Sequence, residues 1–152
     1  MSDEITGYRL HKSLGYWLSL AARLQERRLD DQLRQIGLSR ITWCILLGVG
    51  NEGLSQPSEL AEFVGIDRTA TSRALRQMEE AGLIARASGT GDRRTRQITL
   101  TAAGRSAVSK GTPFAQHNMD VMRERLETGE TEELMRLLEK LTEGEETKLR
   151  HF

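Results

Sequence analysis

Basic and hydroxyl side chains that could bind phosphates and base edges are concentrated in two short segments of the chain. One is GTGDRRTRQITLT (89–101), in which two glycines and Asp92 precede Arg93, Arg94 and Arg96. A basic turn of this kind is ordinarily a solvated part of the surface. Arg96 could instead be a surface residue of the strand that follows the turn. Asp92 would repel a phosphate, so we interpret it as a carboxylate that holds one of the arginines by a bidentate ion pair.

The second segment, 68–81, is predicted to form a helix with one basic, hydroxyl-bearing face. At about 100° per residue, its residues divide into an apolar side and a polar side. The apolar side contains Thr71, Ala74, Leu75 and Met78. The polar side, with Arg68 at its margin, contains Thr69, Ser72, Arg73 and Arg76. A helix face with cations, hydroxyls and no carboxylate is typical of contact with phosphates and base edges.

The elements around these two segments predict a helix-turn-helix followed by a β-hairpin. Residues 55–59 resemble the start of a short helix, with serines near its first turn, a proline inside it and an early acid. Gly65 closes this helix, and Asp67 can cap the helix over 68–81 only two residues later, as in a helix-turn-helix. The hairpin strands are predicted at 83–86 and 97–100.

Long helices are predicted at both ends of the chain. Apolar residues recur at helical spacing over 8–35, which indicates one uninterrupted helix. After the hairpin, Thr101 is expected to cap another long helix, and Gly111 and Pro113 predict a bend or break in it. A last amphipathic helix follows Gly129.

A helix-turn-helix followed directly by a two-stranded hairpin is a winged helix, and the arginine cluster then lies at the tip of the wing. In this geometry the helix over 68–81 enters the major groove of DNA while the wing reaches an adjacent minor groove. Arginine suits a narrow minor groove because its planar cation is weakly hydrated and the negative potential there is enhanced.

The formal net charge of zero conceals opposite local charges. Residues 68–96 include seven arginines and three acidic residues, whereas residues 120–150 include ten acidic and six basic residues. Because a ligand meets the local potential, the neutral total does not argue against nucleic acid as a partner.

Composition and motifs narrow the class of protein further. The 152 residues suffice for one domain, they contain no apolar stretch of about 18 residues, and the N-terminal segment lacks a signal-peptide core. With Cys44 as the lone cysteine, a cytoplasmic protein is expected, and the apolar neighbours of Cys44 indicate a buried, unreactive thiol. The scattered histidines have no metal-binding spacing, and we find no catalytic or cofactor motif; no metal, cofactor or enzymatic activity is expected.

The segment 55–101 resembles the MarR/SlyA family of bacterial transcription regulators. The matching pieces are SELA (58–61), MEEAGLIAR (78–86), DRR (92–94), Leu100-Thr101 and Gly104. Weaker similarity, including Leu38-Ser39 and Trp43, extends over most of the chain. The resemblance implies a mainly α fold with a small β-hairpin wing, in which a winged helix-turn-helix is flanked by N- and C-terminal dimerisation helices. Residues 1–152 then form a single MarR-like domain, with dimerisation helices at 8–36 and 102–152 and the DNA-binding portion at 39–101.

The resemblance also implies a homodimeric repressor that binds double-stranded DNA at a palindromic operator. In such proteins the arginine matching Arg94 enters the minor groove, the acid matching Asp92 braces it, and positions matching Arg68, Thr69 and Arg73 touch bases and backbone. Many members release DNA when a small aromatic acid or phenol binds. We add Arg93, Ser72 and Arg76 as expected DNA contacts. Ser55, Gln56 and Ser58 are expected to contact the phosphate backbone, because free amides at a helix start favour phosphate.

Several assignments stay open at this point. Trp17 and Trp43 are consistent with core or interface packing, or with an aromatic effector pocket to which His11 and Arg40 supply polar ends. Arg86 is consistent with a phosphate contact, an ion pair or a pocket residue. The competing function is a winged-helix module that binds a protein partner without DNA, which predicts an apolar or acidic recognition face.

Overall fold

The protein is described by a computed structural model over residues 7–88 and 96–147, in which the side chains of Ser88 and Arg96 are not described. A short 3-10 turn, Leu10–Lys12, precedes six helices and two strands in the described part. The elements are α1 (Leu14–Arg34), α2 (Arg40–Gly50), α3 (Pro57–Val64), α4 (Arg68–Glu80), β1 (Ile84–Ser88), β2 (Arg96–Leu100), α5 (Ala102–Arg123) and α6 (Glu130–Thr142). This order confirms the predicted winged helix-turn-helix. None of the described helices has the length and apolar character needed to cross a membrane.

The predicted N-terminal helix over 8–35 begins later than the sequence pattern indicated. Ser13 separates the 3-10 turn from α1, because its hydroxyl donates to the carbonyl of Leu10 at 2.7 Å and accepts from the amide of Tyr16 at 3.2 Å. A serine that satisfies both neighbours in this way interrupts a helix and caps the next one. Apolar periodicity alone could not detect this interruption.

The core lies between the helix-turn-helix, the hairpin and the two long helices. Leu33 of α1, Leu46 of α2, Leu60 of α3, Leu75 of α4 and Ile98 of β2 are all fully buried in it. The buried residues of α4 are Thr71, Ala74, Leu75 and Met78, as the helical periodicity predicts. The orientation of α4 therefore follows directly from its apolar side.

Short polar contacts end and connect the elements of the winged helix. Gly65 ends α3 with φ of 81°, and the Asp67 carboxylate caps α4 by accepting from the amide of Ala70 at 2.8 Å. The two strands pair antiparallel with Ile84 opposite Leu100. Thr101 joins the far end of the unit, since its hydroxyl donates to the carbonyl of Gly82 at 2.6 Å and caps α5. The turn that follows α4 and the start of α5 are thus connected directly.

Of the bend or break predicted in the C-terminal long helix, the break is wrong and the bend stays a prediction. Helix α5 runs without interruption from Ala102 to Arg123 with Pro113 in its interior. Packing against α1 and α2 on its buried side stabilises the helix beyond what its local propensity provides. Gly111 serves a different purpose, because an added Cβ would lie 2.5 Å from Cζ3 of the buried Trp43. The glycine permits the close approach of α2 and α5.

Replacing Gly111 with alanine is expected to destabilise the protein although alanine is the better helix former. The added methyl collides with the Trp43 ring, and overpacking of this kind costs about 1–3 kcal/mol. Urea denaturation at fixed protein concentration measures the free energy of unfolding. Ser109→Ala, an exposed change in the same helix, should stay within about 0.5 kcal/mol of wild type. A Gly111→Ala protein that is more stable than wild type would show that propensity outweighs the contact.

Candidate nucleic-acid interface

The exposed side of α4 has the composition that its sequence predicts. Thr69, Ser72, Arg73 and Arg76 are exposed and, together with Arg68, line one shallow cavity of about 390 Å³. The burial of Leu75 and Met78 on the opposite side of the helix keeps these five side chains facing outward. The structure therefore brings together every α4 residue that the sequence indicated as a DNA contact.

The cations of this face are not neutralised by neighbouring carboxylates. Within the described residues, no carboxylate oxygen lies within 4.0 Å of the guanidinium groups of Arg68, Arg73 or Arg76. Arginines that are not neutralised create a local positive potential and leave their planar donors available to phosphates and base edges.

A second cavity connects the start of α3 to the same face. Its volume is about 350 Å³, and it is lined by Pro57, Ser58, Arg68, Thr71 and Ser72. Because Arg68 and Ser72 line both cavities, the Ser58 hydroxyl is continuous with the basic surface of α4. Ser58 therefore lies beside the basic face of α4, and its predicted contact with the DNA backbone stays a prediction.

The amides before α3 are less available than the sequence suggested. The Glu59 carboxylate accepts from the amides of Ser55 and Gln56, each at 3.2 Å. The Ser55 carbonyl accepts from the amide of Ile98 in β2 at 2.9 Å. A phosphate contact by Ser55 or Gln56 would therefore depend on their side chains, because the amides already have an acceptor. Glu59, the early acid that indicated a helix start, is the residue whose carboxylate accepts from both amides.

The predicted wing contacts Asp92, Arg93 and Arg94 lie outside the described residues, and their roles stay predictions. The stem that carries them is described, and its β1 strand places Arg86 near the end of α4. The Arg86 Nε atom is 3.3 Å from Glu79 Oε2. Among the alternatives that the sequence left open for Arg86, an ion pair is the one that the structure contains.

The four candidate effector residues do not line one common cavity. Arg40 lies at the junction of α1 and α2 in a cavity of about 560 Å³, where it pairs with Glu26 at 3.1 Å and Asp30 at 2.8 Å. Trp43 lines a different groove. His11 and Trp17 line neither of these two sites; the Trp17 indole donates to the His11 carbonyl at 2.8 Å.

The groove at Trp43 contains polar residues that the sequence reasoning missed. It lies between α2 and α5, with a volume of about 330 Å³, and is lined by Trp43, Leu47, Asn51, Thr112, Ala115, Gln116, Met119, Asp120 and Arg123. Gln116, Met119, Asp120 and Arg123 recur at spacings of three and four, so they share one face of α5. That spacing was visible in the sequence, but only the packing of α2 on α5 places an aromatic ring beside it.

The thiol of Cys44 is partly buried in α2. Burial raises its pKa, and the charge of the nearby Arg40 only partly opposes this effect. A raised pKa leaves less thiolate at neutral pH, which agrees with the expectation of an unreactive cysteine. Within the described residues, no group of His, Cys, Asp and Glu side chains has an arrangement that could hold a metal ion.

Comparison with known proteins finds similarity to one family. Residues 36–95 match the family model described as the MarR family. Bordetella bronchiseptica BpsR, whose DNA binding is regulated by 6-hydroxynicotinic acid, superposes with a TM-score of 0.82 at 20% identity over 91% of this chain and 99% of that one. A cysteine-to-serine variant of MarR from E. coli, in complex with operator DNA, superposes with a TM-score of 0.76 at 21% identity over 84% of this chain and 92% of that one.

A third structure, a MarR-family protein of Mycobacterium tuberculosis in complex with salicylic acid, gives a TM-score of 0.66 at 26% identity over 85% of this chain and 96% of that one. These matches span nearly the whole length of the known proteins. The segment 36–95 is thus similar to the MarR family, and the whole fold is similar to MarR-family structures.

Proposed function

We propose that this protein is a sequence-specific DNA-binding transcription regulator. The observation that carries the proposal is the exposed face of α4, where Arg68, Arg73 and Arg76 have no carboxylate within 4.0 Å among the described residues. A winged helix that bound a protein partner without DNA would be expected to present an apolar or acidic face here. The cations and hydroxyls of α4 instead suit phosphates and base edges.

In the proposed complex, α4 enters the major groove and the wing reaches the adjacent minor groove. Arg73 reads a base edge, Ser58 contacts the backbone, and Arg94 inserts into the minor groove with Asp92 as its brace. The related E. coli MarR variant in complex with operator DNA supports this docking as an analogy. Binding at two grooves at once requires a defined position of the wing relative to α4.

The proposed functional unit is a homodimer. Large apolar side chains are exposed near the N-terminus and along α6: Tyr8, Leu10, Leu14, Trp17, Leu18, Leu134, Met135, Leu137, Leu138 and Leu141. Apolar surface of this extent ordinarily marks an interface. A two-fold dimer places two recognition helices about 34 Å apart, so the operator is expected to be palindromic.

We further propose that the protein is a repressor released by a small aromatic acid. The related BpsR is regulated by 6-hydroxynicotinic acid, and the M. tuberculosis protein is described with salicylic acid. The groove between α2 and α5 offers the Trp43 ring and the Arg123 guanidinium, an aromatic wall and a cation that suit a planar carboxylate. His11, Trp17 and Arg40 remain candidates for a site that a partner subunit completes.

Arg73→Ala is expected to weaken binding to the operator and to relax specificity at one base pair. Loss of a base contact costs about 1–3 kcal/mol, whereas loss of a phosphate contact would weaken binding to all sequences alike. Fluorescence anisotropy with DNA from upstream of the gene measures both effects. Arg34→Ala, which removes an exposed arginine from α1, is the control and should leave binding unchanged. Unchanged operator binding by Arg73→Ala would refute the base-reading role.

Arg94→Ala is expected to abolish most of the preference for the upstream DNA over unrelated DNA, because it removes the minor-groove contact. Anisotropy at two salt concentrations separates this role from general attraction. Each phosphate contact contributes about 0.9 to the slope of log K against log salt. Wild-type binding that showed no dependence on salt would exclude DNA recognition through phosphates and favour a protein partner.

Salicylic acid is expected to lower the affinity of the wild-type protein for its operator by about tenfold, a typical coupling between two sites. Arg123→Gln should keep its DNA affinity and lose most of this response, since the carboxylate loses its cation. Arg125→Gln removes an exposed arginine two residues away and should respond like wild type. An Arg123→Gln protein that is still released by salicylic acid would place the effector elsewhere.

A further inference from the structure

Both strands of the wing are attached to the helix-turn-helix. On β2, the Ile98 amide donates to the Ser55 carbonyl at 2.9 Å, which ties the hairpin to the loop before α3. On β1, Arg86 lies opposite Ile98 in the register and pairs with Glu79 in the last turn of α4. The first attachment uses only backbone atoms, whereas the second depends on two side chains.

The Arg86–Glu79 pair is less exposed than an ordinary surface ion pair. The side chains of Arg86 and Glu79 are 24% and 44% exposed, compared with 75% and 62% for Arg34 and Asp31 in their pair. The Arg86 Nε atom is buried, and its N–H is not aligned with any acceptor among the described residues. The attraction to Glu79 is therefore mainly ionic, and the low exposure of the Arg86 side chain reduces its screening by water and salt without removing it.

We propose that Arg86 is a positioning residue that sets the position of the wing relative to α4 through Glu79. The proposal rests on the proposed DNA-binding function, in which α4 and the wing must occupy neighbouring grooves together. Loss of the Glu79 charge leaves Arg86 partly buried without its partner, and a guanidinium in that state is expected to move toward solvent. The β1 strand then keeps its core contact with α4 through Ile84 but loses the ionic contact through Arg86, and the outer end of β1 moves relative to the exposed face of α4.

Four variants separate this role from a general effect of charge. Arg86→Glu and Glu79→Arg each place two like charges together, and the double exchange Glu79→Arg with Arg86→Glu restores an opposite pair. Glu80→Arg is the matched control, because it makes the same charge change at the neighbouring exposed position, which has no ion pair within 4.0 Å in the described part of the chain.

The first readout does not require DNA. Spin labels at residues 69 and 87, in a Cys44→Ser background and diluted with excess unlabelled protein, report the distance between α4 and β1 by pulsed electron resonance. We expect one narrow distribution in wild type, in the double exchange and in Glu80→Arg. Each of the two single variants at the ion pair should give a broader or shifted distribution. Identical distributions in Arg86→Glu and wild type would overturn the proposal.

The second readout is discrimination by the wing. Anisotropy compares the operator with a version in which A·T pairs of the flanking minor grooves are replaced by G·C. Each single variant at the ion pair should lose about tenfold of this discrimination, the size of one misread base pair, while the double exchange regains it. Glu80→Arg should shift affinity for both DNAs equally.

The outcomes distinguish the two proposals. If the wild-type protein binds no DNA selectively, the proposed function fails, while the distance measurement still decides whether the ion pair positions the wing. If Arg86→Glu weakens binding to all sequences alike, lowers the salt slope by about 0.9 and leaves the distances unchanged, Arg86 contacts a phosphate directly and the positioning role is wrong.

Discussion

The burial of one side of α4 is the constraint on which the recognition surface depends. Leu75 and Met78 are almost completely inaccessible to solvent, and Thr71 is buried beside them. The Thr71 hydroxyl donates to the Asp67 carbonyl at 2.8 Å, so this polar side chain is satisfied inside the helix. With that side fixed in the core, a rotation of α4 would expose apolar surface and bury guanidinium groups, both of which are unfavourable. The basic face consequently has a single orientation.

Helix α4 is connected to the long helix α5 by hydrogen bonds and one close backbone contact. Thr101 donates to the carbonyls of Gly82 and Leu83 while it caps α5. Gly104 approaches the Leu83 carbonyl so closely that a side chain there would collide with backbone. The start of α5 therefore cannot move away from the end of α4 without breaking these contacts. Further along α5, Gly111 lets α2 approach through Trp43, beside the groove between these helices.

Some polar side chains of the winged helix stabilise the fold through local contacts, and others remain available to bind a ligand. Glu59 satisfies two backbone amides, Asp67 caps α4, and Glu79 pairs with Arg86. These acids are committed to local contacts, which leaves the exposed side of α4 without a carboxylate partner among the described residues. The positive potential of that side is therefore a result of where the acids are used, as well as of how many arginines are present.

Much of this arrangement was predictable because it depends on residues close together in the sequence. The helical period of 68–81 placed Thr71, Ala74, Leu75 and Met78 on the buried side, and local hydrogen bonds of Asp67 and Thr101 defined two helix starts. The same kind of reasoning failed at Ser13, whose hydroxyl favoured a new helix start over a continuous one, and at Pro113, where packing maintained a helix that local propensity disfavours.

The sequence by itself determined the order of the elements, the two sides of α4 and the family that the winged helix resembles, because these follow from local periodicity, capping and short motifs. Only the tertiary structure decided that Gly111 meets Trp43, that Arg86 pairs with Glu79 and that Arg123 and Trp43 share a groove while Arg40 lies elsewhere. Each of these contacts depends on which faces of the helices and strands are packed together. The spacing of a side chain within its own helix or strand does not specify which residue of another element lies beside it.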